Sequence, residues 1–146
     1  MLKTNLPPEK VVIVWDNIYQ TGKKFFIPVA NTSYLLFALA AYTNWSSDLR
    51  TPLGDILGID LTEGVQLALA GGCLFSTLPF VLAFMLPYSV KRMKKRVEMV
   101  KVAGINQTEV ILDERGLYDD VDSWMTMNSV RTGIFLSAFM LGLTAL

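Results

Sequence analysis

Three apolar blocks divide the chain: "FFIPVANTSYLLFALAAYTNW" (25 to 45), "VQLALAGGCLFSTLPFVLAFMLPY" (65 to 88) and "TGIFLSAFMLGLTAL" (132 to 146). The first two reach the roughly 20 residues that a helix needs to cross a hydrocarbon core of about 30 Å. The third covers only about 22 Å at about 1.5 Å per residue, so its helix must start earlier, near Trp124, where it reaches about 34 Å. The predicted spans are therefore about 26–45, 65–88 and 126–146. Ahead of the first, "EKVVIVWDNIYQTGKKFF" places Trp15, Tyr19 and Gly22 at i, i+4 and i+7, with Val11, Val12 and Ile18 beside them. That spacing predicts an amphipathic helix running into the membrane. Between the second and third blocks, "KRMKKRVEMVKVAGINQTEVILDERGLYDDVDSW" begins basic and ends acidic, with Leu117, Val121 and Trp124 at helical spacing. Two short helices, or a helix and a loop, are expected there at the cytosolic surface. The fold class is all-α: one integral membrane domain, 1–146, forming a bundle of three transmembrane helices with cytosolic amphipathic helices.

Composition supports the membrane reading and narrows the chemistry. The chain is 52% hydrophobic and 18% charged, with a mean hydropathy of +0.40, too apolar for an ordinary soluble domain of this size. Thirteen basic against thirteen acidic residues leave no net charge, so there is no global basic field to collect nucleic acid. One cysteine, Cys73, and no histidine exclude disulfide frameworks, most zinc and haem sites, and Ser-His or Cys-His nucleophiles. Chemistry must come from carboxylates, Tyr, Lys, Arg or a reactive substrate. The opening "MLKTNLPPEK" is polar and Pro-rich, so no cleavable leader is expected.

Basic residues set the expected orientation of a multi-pass protein. Lys3, Lys10, Lys23, Lys24, Lys91, Arg92, Lys94, Lys95, Arg96, Lys101, Arg115 and Arg131 fall in the N-terminal tail and the 89–131 loop, whereas the 46–64 loop holds only Arg50. Tail and long loop are placed in the cytosol, the short loop and C-terminus in the lumen or outside. On this topology the sequons at Asn31 and Asn106 are accidental, and the one at Asn44 lies too close to the membrane for use.

Individual features carry structural expectations first. Ala68, Gly72 and Ser76, broadened by Gly71, form a small-residue face suited to close helix packing. Pro79 and Pro87 interrupt the hydrogen-bond ladder and predict kinks. Asn31, Thr32, Ser33 and Tyr34 bring polar groups into the first span, and at least Asn31 is expected to face other helices or a pocket, with ligand contact as its second role. Lys91 to Arg96 read as a topology signal and headgroup anchor. Asp119, Asp120 and Asp122 read as acids at the start of the last helix, favoured by its dipole. In "WMTMNSVR", Trp124, Asn128 and Arg131 stand at i, i+4 and i+7 and form one stripe. Interfacial anchoring explains Trp124 and Arg131 singly, but it gives Asn128 no reason to join them.

These residues resemble the fungal anthrone oxygenase-like small membrane proteins. The resemblance rests on Trp15, Tyr19, Gly22, Lys23 and Pro28; on Pro79, Phe80, Phe84, Met85 and Pro87; and on Trp124, Asn128, Val130, Arg131 and Gly142. It runs from about residue 11 to the end, with Ser89 where the family tends to have Asn. The family typically has four transmembrane helices, and the one ahead of the tryptophan segment has no counterpart here, so a shortened member or an incomplete start is expected. The resemblance implies oxidation of an anthrone to an anthraquinone by molecular oxygen, with no cofactor. An anthrone is acidic at its methylene carbon and its anion reacts with oxygen directly, so the protein need only remove a proton, stabilise an oxyanion and exclude water. The implied roles put Arg131 and Asn128 on the oxyanion, Trp15 and Trp124 on the faces of the polycycle, and Tyr19 or Asp16 in the proton path. Expected partners are the lipid bilayer, a polycyclic aromatic substrate, and a second copy or partner helix in place of the missing span. Two rival readings are a non-catalytic membrane protein whose aromatic stripes hold the bundle together, and a small subunit of a larger membrane complex.

Overall fold

In a computed structural model of the chain, residues 6–106 and 112–145 are described. Lys3, the Gln107 and Thr108 of the Asn106 sequon, and Leu146 lie outside the described residues. The architecture is all-helical, with no strand among the described residues. Helix α1 (Pro8–Thr43) opens on a proline followed by Glu9, a start at which the missing N–H is no loss and the acid meets the positive end of the dipole. The amphipathic segment and the first apolar block are thus one helix, which continues through Pro28. At its end Asn44 Nδ2 donates to Ala40 O at 2.9 Å and Thr43 Oγ1 to Leu39 O at 3.1 Å, satisfying carbonyls of the last turn.

Helix α2 (Pro52–Leu57) is a short turn inside the connecting loop. The Thr51 hydroxyl accepts from Gly54 N–H at its start, and Gly58, at φ 66°, takes the left-handed C-terminal position. Thr51 N–H donates to Leu61 O at 2.9 Å and Glu63 N–H to Leu49 O at 3.2 Å, folding the loop back on itself.

The sequence predicts interruptions of the hydrogen-bond ladder at Pro79 and Pro87, and the helix runs on through both. Helix α3 (Glu63–Phe80) passes into a π-helical segment, Val81–Val90, and then directly into α4 (Lys91–Asn106). Pro79 stays inside α3, whereas Pro87 falls within the π-helical segment, where a wider turn accommodates the missing donor. The basic run is therefore the continuation of the second long helix rather than a separate surface element. Helix α5 (Glu114–Leu143) is continuous and begins well before Trp124. Among the described residues, two helical stretches are long and apolar enough to cross a membrane, Pro8–Thr43 and Glu63–Gly104.

Two compact units make up the chain. The first contains Met1–Phe25 and Val81–Ser129, and its core gathers Val12, Trp15, Met85, Val90, Met93, Val97 and Leu117. Asp120 is buried in this unit and accepts from Arg96 Nε at 3.0 Å, with Arg92 Nη1 at 3.5 Å. This corrects the expectation of a helix-start role: Asp120 lies inside α5 and neutralises one side of the basic run.

The second unit contains Phe26–Phe80 and Val130–Leu146. Its small core of Ala41, Leu67 and Ala145 is flanked by Phe37 and Ala40. Gln66, fully buried, donates from Nε2 to Leu141 O and Thr144 Oγ1, both at 2.7 Å. Such interhelical bonds are worth about 1 kcal/mol in membrane proteins, so Gln66→Met is expected to lower thermal stability in detergent by about that amount. Close packing runs along Gly64, Leu67, Ala70, Gly71, Leu74 and Thr77, not along the predicted Ala68, Gly72 and Ser76, which are exposed. Ala68 and Gly72 instead floor a groove of about 470 Å³ walled by Tyr34, Tyr42, Trp45 and Phe75. At Gly64 an added Cβ would stand 2.6 Å from Asn44 O and 2.9 Å from Trp45 Cα, both backbone atoms. Because neither can swing aside, Gly64→Ala is expected to cost about 1–3 kcal/mol, read as a lower midpoint in thermal unfolding.

Candidate functional site

Trp15 and Tyr19, one turn apart on α1, stack with ring centroids 5.1 Å apart and planes 6° from parallel. Trp124, on α5, meets Trp15 edge-on at 5.9 Å and 76°. The leading residues of the two stripes read from the sequence, Trp15 and Trp124, thus meet in the first unit. Offset-stacked and edge-to-face pairs are the arrangements that the ring quadrupoles favour. Trp15 is 3% exposed, and Tyr19 and Trp124 pack against the same core.

The cluster has one polar peculiarity. The indole Nε1 atoms of Trp15 and Trp124 are both buried without a hydrogen-bond acceptor. Buried donors of this kind are rare because each carries a desolvation cost of about 1–3 kcal/mol. Each is a dehydrated N–H donor, and in such a setting a bond to an oxyanion is at its strongest.

Lys94, which the sequence marks only as part of the basic run, adds a cation: its Nζ lies 5.5 Å from the centroid of the Tyr19 ring. No local signal pairs them, since they are far apart in sequence and meet only because α4 packs beside α1. Asp16 is engaged elsewhere, by Lys101 Nζ at 3.1 Å and by Gln20 Nε2 at 3.3 Å. Asn128 follows Trp124 by one helical turn and is half-buried.

Two further candidates belong to the second unit. Arg131 sets its guanidinium 4.8 Å from the centroid of the Phe26 ring, a cation–π contact that gives it a structural partner. Asn31 is exposed, which corrects the expectation that it faces other helices. The inward stripe of this part of α1 runs through Ala30, Ser33, Phe37, Ala40 and Asn44, and Asn31 lies one residue, or about 100°, off it.

A sequence profile of the anthrone oxygenase family matches residues 15–141. The chain belongs to the anthrone oxygenase family. The match begins at Trp15 and extends past Trp124, Asn128 and Arg131, so both aromatic stripes fall within the anthrone oxygenase region. No curated protein and no solved structure matches the chain.

Proposed function

We propose that this member of the anthrone oxygenase family oxidises an anthrone-like polycyclic phenol to the quinone with molecular oxygen and no cofactor, at the Trp15–Tyr19–Trp124 cluster. The observation that carries the reading is the pair of buried indole donors without acceptors in that aromatic cluster. A flat phenolic ring system would open the edge contact of Trp124 and lie against the Trp15 and Tyr19 faces. Loss of a proton from its methylene carbon moves negative charge onto the ring oxygen, where the Trp15 and Trp124 N–H groups, with the Asn128 amide, donate to it. The anion gives an electron pair to oxygen, and the peroxide formed at the former methylene carbon loses water, so that anthrone and O2 yield anthraquinone and H2O. Tyr19, with Lys94 over its ring, carries the proton. Asp16 is a secondary proton acceptor, reached only when its contact with Lys101 opens. No step of this reaction is assigned to Arg131, whose guanidinium lies over the Phe26 ring, or to Asn31.

The chain is proposed to cross the membrane three times, with the apolar half of α5 as the third span, and to keep its N-terminus and the 89–131 segment cytosolic. The residue pattern supports this through the clustering of Lys and Arg on one side.

Close packing of Trp15 with Val12, Met93 and Leu117 favours a second reading, in which the cluster only holds helices together. Purified protein supplied with anthrone under oxygen separates the two. The oxygenase forms quinone faster than empty detergent micelles do, and a purely structural cluster does not.

A further inference from the structure

The first two turns of helix α4 sort their cations into two strips. Arg92 and Arg96 turn to Asp120, at 3.5 and 2.9 Å. Lys91, Lys94 and Lys95, at i, i+3 and i+4, form the other strip, and none of them is in an ion pair among the described residues. These three lysines line one end of a cleft of about 730 Å³, with Glu98 at its edge. The other end is apolar, built from Leu82, Leu86, Pro87 and Val90 of the π-helical segment.

We propose that this cleft binds an anionic membrane phospholipid, with an acyl chain along Leu82, Leu86 and Pro87 and the phosphate held by Lys91 and Lys95. Charge and position both argue for this occupant. Three ammonium groups against one carboxylate leave an uncompensated positive end, and phosphate is the anion that a bilayer presents. The candidate span Glu63–Gly104 changes from apolar to basic between Val90 and Lys91, so the cleft straddles the level at which headgroups meet acyl chains. Lys94 is already directed over Tyr19, leaving Lys91 and Lys95 to take the headgroup. The inference rests on the membrane span and is independent of the oxygenase reading.

The test is native mass spectrometry of the full chain in dodecyl maltoside, titrated with phosphatidylglycerol or phosphatidylcholine. Wild type is expected to retain phosphatidylglycerol at least tenfold more tightly. A lysine near an anionic lipid surface contributes about fivefold in affinity, so the exposed pair K91Q/K95Q should lose about 25-fold. K10Q/K24Q removes the same charge from exposed positions elsewhere and should change affinity less than twofold. Millimolar inorganic phosphate should not displace the lipid. Equal losses in the two double variants would reduce the effect to diffuse electrostatics. Indifference to headgroup would remove the phosphate site, and displacement by phosphate would make it a free-anion site. A chain that stays dispersed without detergent and retains no phospholipid would instead remove the membrane span on which the inference rests.

Discussion

Replacing Trp15 and Trp124 together by phenylalanine is expected to slow quinone formation from anthrone by about 10²–10³-fold, the loss typical of removing a preorganised oxyanion donor. Phenylalanine keeps an aromatic face at both positions and deletes only the pyrrole edge with its N–H. The stacked partner Tyr19 and the core residues Val12, Met93 and Leu117 retain something to pack against. Thermal stability should fall far less than with W15A, for which loss of a buried indole costs about 3–5 kcal/mol. There is also a compensating gain, since each indole N–H is buried without an acceptor and phenylalanine removes that desolvation cost. A large drop in turnover with a folded chain assigns the donors to catalysis. Unchanged turnover removes them from it.

Asp120→Ala should be the most damaging single charge change. Its side chain is 8% exposed and pairs with Arg96, which is 19% exposed, and with Arg92, which is 63% exposed. Removing the carboxylate leaves the Arg96 guanidinium half-buried and unpaired, and breaking a fully buried pair in this way costs about 3–5 kcal/mol. Arg92 is solvated and adds little, so about 2–3 kcal/mol is expected, or a thermal midpoint lower by about 5–10 °C. The double variant D120L/R96M, which removes both charges, should recover most of the loss, because buried ion pairs are replaceable by apolar groups at little cost. R92A alone should shift the midpoint by less than about 2 °C. The pair ties α4, carrying Lys94, to α5, carrying Trp124, so D120A is also expected to reduce turnover.

Helical class and the long helices were legible in the sequence because block length and apolar content decide them. The meeting of Trp15 with Trp124 was legible as well, since both stripes have helical spacing and both fall in the stretches that the distribution of Lys and Arg groups on one side. Three things were not. Orientation of Asn31 and the register of the small-residue face cannot be read where a helix is apolar on nearly every side, because periodicity then marks no inward direction. The packed face of α3 duly turned out one residue away from Ala68, Gly72 and Ser76. The partners of Lys94, Asp16 and Asp120 come from other helices, and a charge run such as Lys91 to Arg96 does not say which of its members turn inward. The π-helical segment around Pro87 was hidden for a third reason: proline forbids one hydrogen bond but does not say which turn geometry replaces it.

Turnover of an anthrone with oxygen at the Trp15–Tyr19–Trp124 cluster can be followed as O2 consumption and quinone formation together, with purified chain in detergent, beside W15F/W124F and empty micelles. Wild type is expected to consume one O2 per quinone formed, at a rate well above both controls and with no added metal or organic cofactor. Quinone formation no faster than in empty micelles, from a chain shown to be folded, would contradict that expectation.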